Sequence, residues 1–250
     1  MNTKTATLRA KPLTLRDATF AVVDVETTGI DPRTDRVVEV ACTIVRAGRQ
    51  VESFSSLVNP GRNIPAFASA VHHIVDRDVR DAPSLESLQA KLLTMCADAV
   101  VVAHNARFDL GFLPFLGSRP VLCSMRLAMR VLPNAPNYKN QGLRDYLGLG
   151  DGVLGDSMPH RALGDVNVTS QILAICLEHY LEQGGTNDIS RMVQEIAAPR
   201  DLAALPFGRH RGMAIASVPI DYLRWLQRES TFLDARYTAE CELHRRAVAS

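Results

Sequence analysis

Phe20-Ala21-Val22-Val23-Asp24-Val25-Glu26-Thr27-Thr28-Gly29 decides the fold. Read as a strand, it puts Phe20, Val22, Asp24 and Glu26 on one face and Ala21, Val23 and Val25 on the other. Apolar residues on both faces predict a central strand covered on each side. Two acids sharing one face of such a strand are out of place: a buried unpaired carboxylate is costly, and a cluster is worse. Gly29, Asp31 and Pro32 then mark a loop.

Working outward, residues 36–46 and 51–58 read as two further strands, with Gly48 in the tight turn of a hairpin. Residues 65–74 read as a short helix, and Ser84 caps a longer one with apolar positions 85, 88, 92 and 93. Residues 100–103 form a short buried strand, and Phe108, Phe112 and Phe115 follow at helical spacing. A fifth strand is expected at 121–123 and a Pro- and Asn-rich loop at 133–141. Residues 161–182 carry the clearest helix, with Asp165, Thr169, Ile172 and Cys176 on one stripe and Gly184-Gly185 at its end. A helix near 188–197 reads as a connector, and Pro199 and Pro206 open a new unit. Three strands followed by strands alternating with helices predict an α/β fold with a mixed sheet. The expected domains are a basic tail (1–16), a main α/β domain (17–182), a connector (183–200) and a small C-terminal module (201–250).

Composition bounds the answer. The chain has 250 residues, 46% hydrophobic and 22% charged, which excludes disordered and low-complexity classes. No apolar run approaches the roughly 18 residues of a membrane span. Five cysteines without a Cys-x-x-Cys pair exclude a thiolate zinc site and a disulfide framework, and they suit a reducing cytoplasm. The net charge is +1, so no global basic excess advertises nucleic acid. Lys4, Arg9, Lys11 and Arg16 make the first residues basic without an acid, and a short tail fits them better than a targeting peptide.

Four acids stand where solvated surface acids would not: Asp24 and Glu26 on the strand, Asp109 after the second apolar strand, and Asp165 in the apolar stripe of the last core helix. Singly, each reads as well as a salt bridge. His followed five residues later by Asp occurs three times (73/78, 104/109, 160/165), so that spacing alone decides nothing. Together they are specific. Asp24-Val-Glu26-Thr-Thr-Gly29, His104-Asn105-Ala-Arg-Phe108-Asp109 and His160-Arg-Ala-Leu-Gly-Asp165 strongly resemble the three motifs of the Asp-Glu-Asp-Asp-His (DEDDh) 3′→5′ exonuclease superfamily. Ile64-Pro65 and Val71-His72-His73-Ile74 are similar to its segment between the first two motifs, with His73 in place of a usual Gly.

The resemblance implies a ribonuclease H-like fold with a five-stranded mixed sheet. It implies Asp24, Glu26, Asp109 and Asp165 as ligands of two Mg²⁺ or Mn²⁺ ions, Asp24 bridging, and His160 as general base. Hard carboxylate oxygens suit these ions. Two cations about 3.5–4 Å apart stabilise the attacking and leaving oxygens of an in-line displacement. On the substrate side it implies Thr27, Thr28, Gly29, His72, His104, Asn105 and Phe108, the last as a ring that could stack on a base. Arg107 has no assigned role.

In the C-terminal module, Leu205-Pro-Phe-Gly-Arg-His-Arg-Gly212 reads as a tight turn with a basic tip. Ser217 and Pro219 open a helix with Ile220, Leu223 and Leu226 on one side, and Tyr222 and Trp225, the only Trp, beside them. Four arginines (209, 211, 224, 228) against Asp221 give residues 205–228 a net of +3, so Arg209, Arg211, Arg224 and Trp225 are candidate nucleic-acid contacts. The phrase is similar to a segment following the core in exodeoxyribonuclease X-like proteins, which implies DNA with a free 3′ end as substrate, a role in repair and nucleoside 5′-monophosphates as products. Competing readings are an RNA exonuclease of the ribonuclease T or oligoribonuclease type, a polymerase proofreading subunit, and a non-catalytic nucleic-acid-binding protein. The resemblance leaves room for a homodimer and implies no membrane partner.

Overall fold

The computed structural model describes residues 14–149 and 160–248. These residues fall into two compact units that divide between Ala197 and Ala198.

The first unit is built on one five-stranded sheet of order β3-β2-β1-β4-β5. Strands β1 (Thr19–Thr27), β2 (Val37–Arg46) and β3 (Arg49–Leu57) run antiparallel in sequence, and the hairpin turn takes positive φ at Ala47 and Gly48. Strands β4 (Val100–Ala103) and β5 (Val121–Cys123) add in parallel on the other side of β1. The mixed sheet with β1 at its centre is the architecture expected from sequence.

The alternation along β1 sorts the core. Phe20 and Val22, with Val100, Val102 and Leu122, join one hydrophobic cluster; Ala21, Val23 and Val25, with Val101 and Ala103, join another. The second face is covered by α3 (Leu85–Met95) and α4 (Ala106–Phe112), the chain having first passed through the short helices α1 (Ala66–His72) and α2 (Asp76–Val79). The first face is covered by α5 (Ser124–Val131), α6 (Asn140–Tyr146), α7 (Ala162–Glu182) and α8 (Ile189–Ala197). Asp24 and Glu26 continue the Phe20/Val22 face, so they point toward the helix that carries Asp165.

Several expectations are corrected. Helix α4 stops at Phe112, and Phe115 lies in a separate 3-10 turn, Pro114–Leu116, because proline cannot continue the helix. Residues 183–200 are not a plain connector: α8 lays Ile189, Met192 and Ile196 into the core of the first unit. The tail is shorter than 1–16, since Thr14 bridges Asp188, the Leu15 amide bonds Asn187 and the Leu15 side chain is buried. Residues 1–13 lie outside the described residues.

The second unit packs Leu205, Ile215, Val218, Leu223, Leu226, Ala235 and Ala239 between α9 (Ile220–Glu229) and α10 (Leu233–Val248). Helix α9 begins after Pro219, and Ser217 sits in a preceding 3-10 turn. Ile220 is exposed rather than on the buried side with Leu223 and Leu226.

Candidate active site

At the sheet's central strand, one oxygen from each of Asp24, Glu26 and Asp165 lies within 4.8 Å of the others. The ladder is irregular at this point. Glu26 pairs with Glu39, but Thr27 pairs with Val37, so β2 carries Val38 as an extra residue. Such bulges re-aim side chains next to sites.

The regular register, one step before the bulge, places Glu26 directly opposite Glu39, and two like charges facing across a ladder repel. Arg161 resolves part of this. Its guanidinium grips both Glu39 oxygens, with Nη2 at 2.7 Å from Oε1 and Nε at 3.1 Å from Oε2. The Ala162 amide, first in α7, donates to the same carboxylate at 2.9 Å. An acid at a helix N-terminus is favoured by the helix dipole. Glu39 therefore ties β2 to the start of α7 and sets where Asp165 enters. Sequence reading passed over Glu39, although its signal was the same as that of Asp24: an acid inside an apolar strand.

Asp165 is held from both sides. Its Oδ1 accepts from Gln141 Nε2 at 3.0 Å and its Oδ2 from the His160 amide at 3.1 Å. Asn140 of α6 donates to Thr169 Oγ1 at 2.7 Å and to the Asp165 carbonyl at 3.3 Å, clamping α6 onto α7. Neither contact has a sequence signal, because amides at the start of a short helix are ordinary surface residues. Asp109 is buried on α4. Its Oδ1 accepts the Val25 amide at 3.3 Å, and its Oδ2 is buried with no hydrogen-bond partner.

Burial and mutual repulsion raise all four acids. Asp24 is held well above the usual carboxylate range, first by burial and then by Asp109 and Asp165. Burial, with Asp165 and Glu39, pushes Glu26 up to about 8. Burial pushes Asp109 to about 7, against the pull of backbone amides, and also raises Asp165. Carboxylates this close, with one buried oxygen unpartnered, fit a divalent cation that would hold them ionised.

His160 is exposed, in left-handed backbone with φ 58°, on the rim of a cavity of about 340 Å³. Asp24, Asp165, His104, Lys139 and Gln141 also line it. His104 reaches the cavity wall with both ring nitrogens spent: Nε2 donates to the Tyr138 carbonyl at 2.8 Å and Nδ1 meets Ser124 Oγ at 3.0 Å. Its burial lowers its pKa, so it is a neutral strut between β4 and the 133–139 loop, with no nitrogen left for a substrate.

The other expected substrate residues are spread around this centre. Thr27 Oγ1 donates to the Gly29 carbonyl, and Thr28 Oγ1 donates to Asp35. Both hydroxyls thus serve the loop itself. A Cβ on Gly29 would overlap the Asp35 carboxylate, which explains the glycine. His72 is buried and accepts the Ile74 amide on Nδ1, with Nε2 unpartnered; burial keeps it neutral. His73 caps α1 with φ 60°, the conformation a glycine adopts at least cost, and its exposed side chain avoids crowding the loop. Asn105 caps α4 in left-handed backbone, and Phe108 is half-buried against Phe112 at 5.2 Å. Arg209, Arg211, Arg224 and Trp225 belong to the second unit.

Two outcomes are expected here. Glu39→Ala should cost about 1.5–3 kcal/mol, the range for hydrogen bonds to a charged group, with relief of repulsion on Glu26 keeping the loss from exceeding it. Glu39→Gln should recover part, and thermal melting of both variants checks this. The second outcome concerns pH. For each acid the folded pKa exceeds the unfolded one, so the folded state binds more protons and stability falls as pH rises. Metal-free protein should melt lower as pH climbs from about 4 through the 7–8 region set by Asp109 and Glu26. Saturating Mg²⁺ should flatten that slope. A flat metal-free profile would mean the acids are ionised without help.

A family model described as an exonuclease, RNase_T, matches residues 21–173. The PolC-type DNA polymerase III of Thermotoga maritima is 32% identical over 187 residues, covering 72% of this chain and 13% of that protein. Its counterpart in Streptococcus pneumoniae is 30% identical over 196 residues, 74% of this chain and 13% of that protein. The chain thus spans about one-eighth of the length of these curated relatives. Among solved structures, Exonuclease X in complex with 5′ overhanging duplex DNA is 29% identical with a TM-score of 0.56, covering 70% of this chain and 99% of that one. E. coli Exonuclease I in complex with a dT13 oligonucleotide shares the fold at 15% identity and a TM-score of 0.57, covering 67% of this chain and 43% of that one. A second, short family model, "Putative quorum-sensing-regulated virulence factor", matches residues 194–236. No helix among the described residues is long and apolar enough to cross a membrane. The first matched segment takes in more than half of the chain and every acid of the cluster, so this chain belongs to the exonuclease family, with its ribonuclease H-like α/β fold and its nuclease class of activity.

Proposed function

We propose that the chain is a divalent-metal-dependent exonuclease that hydrolyses DNA from the 3′ end and releases nucleoside 5′-monophosphates. The observation that carries this is the convergence of Asp24, Glu26 and Asp165 on one point, with buried Asp109 close enough to oppose the ionisation of Asp24 and an exposed His160 on the cavity rim. Asp24, Glu26 and Asp165 would hold one ion, and Asp24 with Asp109 a second, Mg²⁺ or Mn²⁺ in each place. Bound there, the ions would supply charge stabilisation to the attacking and leaving oxygens. His160 takes the proton of the attacking water, and the bond from its amide to Asp165 keeps it at the cluster. Lys139 on the cavity wall meets a phosphate, and Phe108 offers its half-buried ring to the terminal base. Thr27, Thr28 and Gly29 shape the loop after β1, and His72, His104 and Asn105 support the wall.

DNA is preferred over RNA because the solved relative at 29% identity is in complex with duplex DNA. The PolC-type relatives favour a second reading, a proofreading activity. The test is one oligonucleotide sequence supplied as single-stranded DNA, duplex DNA and RNA, 5′-labelled, with Mg²⁺ and with EDTA. Stepwise shortening of DNA from the 3′ end, abolished by EDTA, is expected. Faster shortening of RNA would move the assignment to the RNA enzymes, and binding without cleavage would make the chain a non-catalytic binder. The free thiols Cys42 and Cys96, with Sγ atoms 4.0 Å apart, suit a cytoplasmic setting. Light scattering of the same sample reads whether it works as a homodimer.

A further inference from the structure

The second unit carries a surface that the catalytic reading leaves unused. Its tip, Gly208-Arg209-His210-Arg211-Gly212, is pinned by the Leu205 amide on the Met213 carbonyl at 3.1 Å and the Gly212 amide on the Leu205 carbonyl at 2.8 Å. Gly208 and Gly212 have φ 74° and 78°, which glycine tolerates without strain. The tip lies against α9: His210 meets Tyr222 edge-on at 4.6 Å, and the Arg209 guanidinium stands 5.2 Å from the Tyr222 ring centre. A Cβ on Gly208 would overlap the Tyr222 hydroxyl, so the glycine allows this approach.

One turn further along α9, Trp225 stacks on Tyr222 at 5.3 Å with an interplanar angle of 27°. Trp225 is 43% exposed, whereas Leu223 and Leu226 of the same helix are fully buried. The unit's core therefore closes without it. An exposed indole in a stacked pair, with cationic side chains around it and a local net of +3, matches what single-stranded nucleic acid requires. Rings take the base faces, and arginines follow the phosphates.

We infer that the Tyr222/Trp225 pair and Arg209 of the C-terminal unit form a stacking site for single-stranded DNA. This rests on the reading of the chain as a DNA exonuclease. Stacking accepts any base, so the site adds affinity for long strands without sequence preference.

Trp225 is the only tryptophan, so its emission reports on this surface alone. The test uses the full chain with Asp24→Asn, in EDTA, titrated with labelled oligo-dT while emission and anisotropy are followed together. Saturable quenching with the same midpoint as the anisotropy is expected. Trp225→Ala should weaken binding about five- to one-hundred-fold, with Trp225→Phe recovering part. Arg209→Ala should lower the salt slope by about 0.7. Binding seen by anisotropy with unmoved emission, or unchanged affinity in Trp225→Ala and Arg209→Ala, would overturn the inference. So would the absence of any binding. The parent chain is also given a nitrophenyl ester of thymidine 5′-monophosphate with Mg²⁺. Cleavage of this ester with a silent tryptophan leaves the catalytic reading standing and removes the stacking site; quenching without any hydrolysis does the reverse.

Discussion

Asp24→Asn should abolish hydrolysis and leave the fold intact. Asparagine keeps the shape of the side chain but not its charge, and Asp24 is the acid that the arrangement shares between the two proposed ion sites. Its replacement removes one of four mutually repelling carboxylates, one whose ionisation is opposed first by burial and then by Asp109 and Asp165. Metal-free Asp24→Asn should therefore melt at or above the parent at pH 8, where the parent carries the most repulsion. Each kcal/mol gained would raise the melting temperature by about 2–4 °C. At pH 4, well below the values to which Glu26 and Asp109 are raised, repulsion is relieved in both proteins and the difference should shrink. Activity with Mg²⁺ should fall below a few per cent of the parent rate. Substantial residual hydrolysis would remove Asp24 from the proposed centre, while lost activity with a lower melting point at every pH would point to simple misfolding.

His160→Ala should slow the chemical step by about 10²- to 10⁴-fold, the usual worth of a positioned general base, with oligonucleotide affinity nearly unchanged. A base acts on the transition state, so kcat and kcat/KM should fall together. The imidazole would accept the proton through its unprotonated ring nitrogen, which alanine lacks. Glu26 and Asp109 also shed protons near pH 7–8 in metal-free protein, so both proteins are compared at saturating Mg²⁺. The Asp165 contact is a separate matter: it uses the His160 backbone amide, which alanine keeps. Intact metal affinity in His160→Ala would therefore separate base loss from site collapse. An unchanged turnover rate in His160→Ala would place the base elsewhere.

The residues that sequence reading passed over act through other residues. Glu39 was legible in principle, as an acid within Val37-Val38-Glu39-Val40, but nothing in the order of residues says that Arg161, more than a hundred positions later, will meet it. Gln141 and Asn140 carried no signal, because their task exists only once α6 lies against α7. His104 shows the opposite case. Its motif suggested a substrate contact, yet two partners distant in sequence, Ser124 and Tyr138, consume its nitrogens.

Sequence by itself determined the central strand and the five-stranded mixed sheet and marked Asp24, Glu26, Asp109 and Asp165 as acids out of place, because strand alternation and the cost of burying charge are local rules. Only the tertiary structure decided that α8 belongs to the core, that His72 and His104 are neutral buried struts, and that the β1–β2 register sets Glu26 against Glu39. Those outcomes depend on which distant groups meet, and pairing across the sheet and between helices is settled by packing rather than by any one segment.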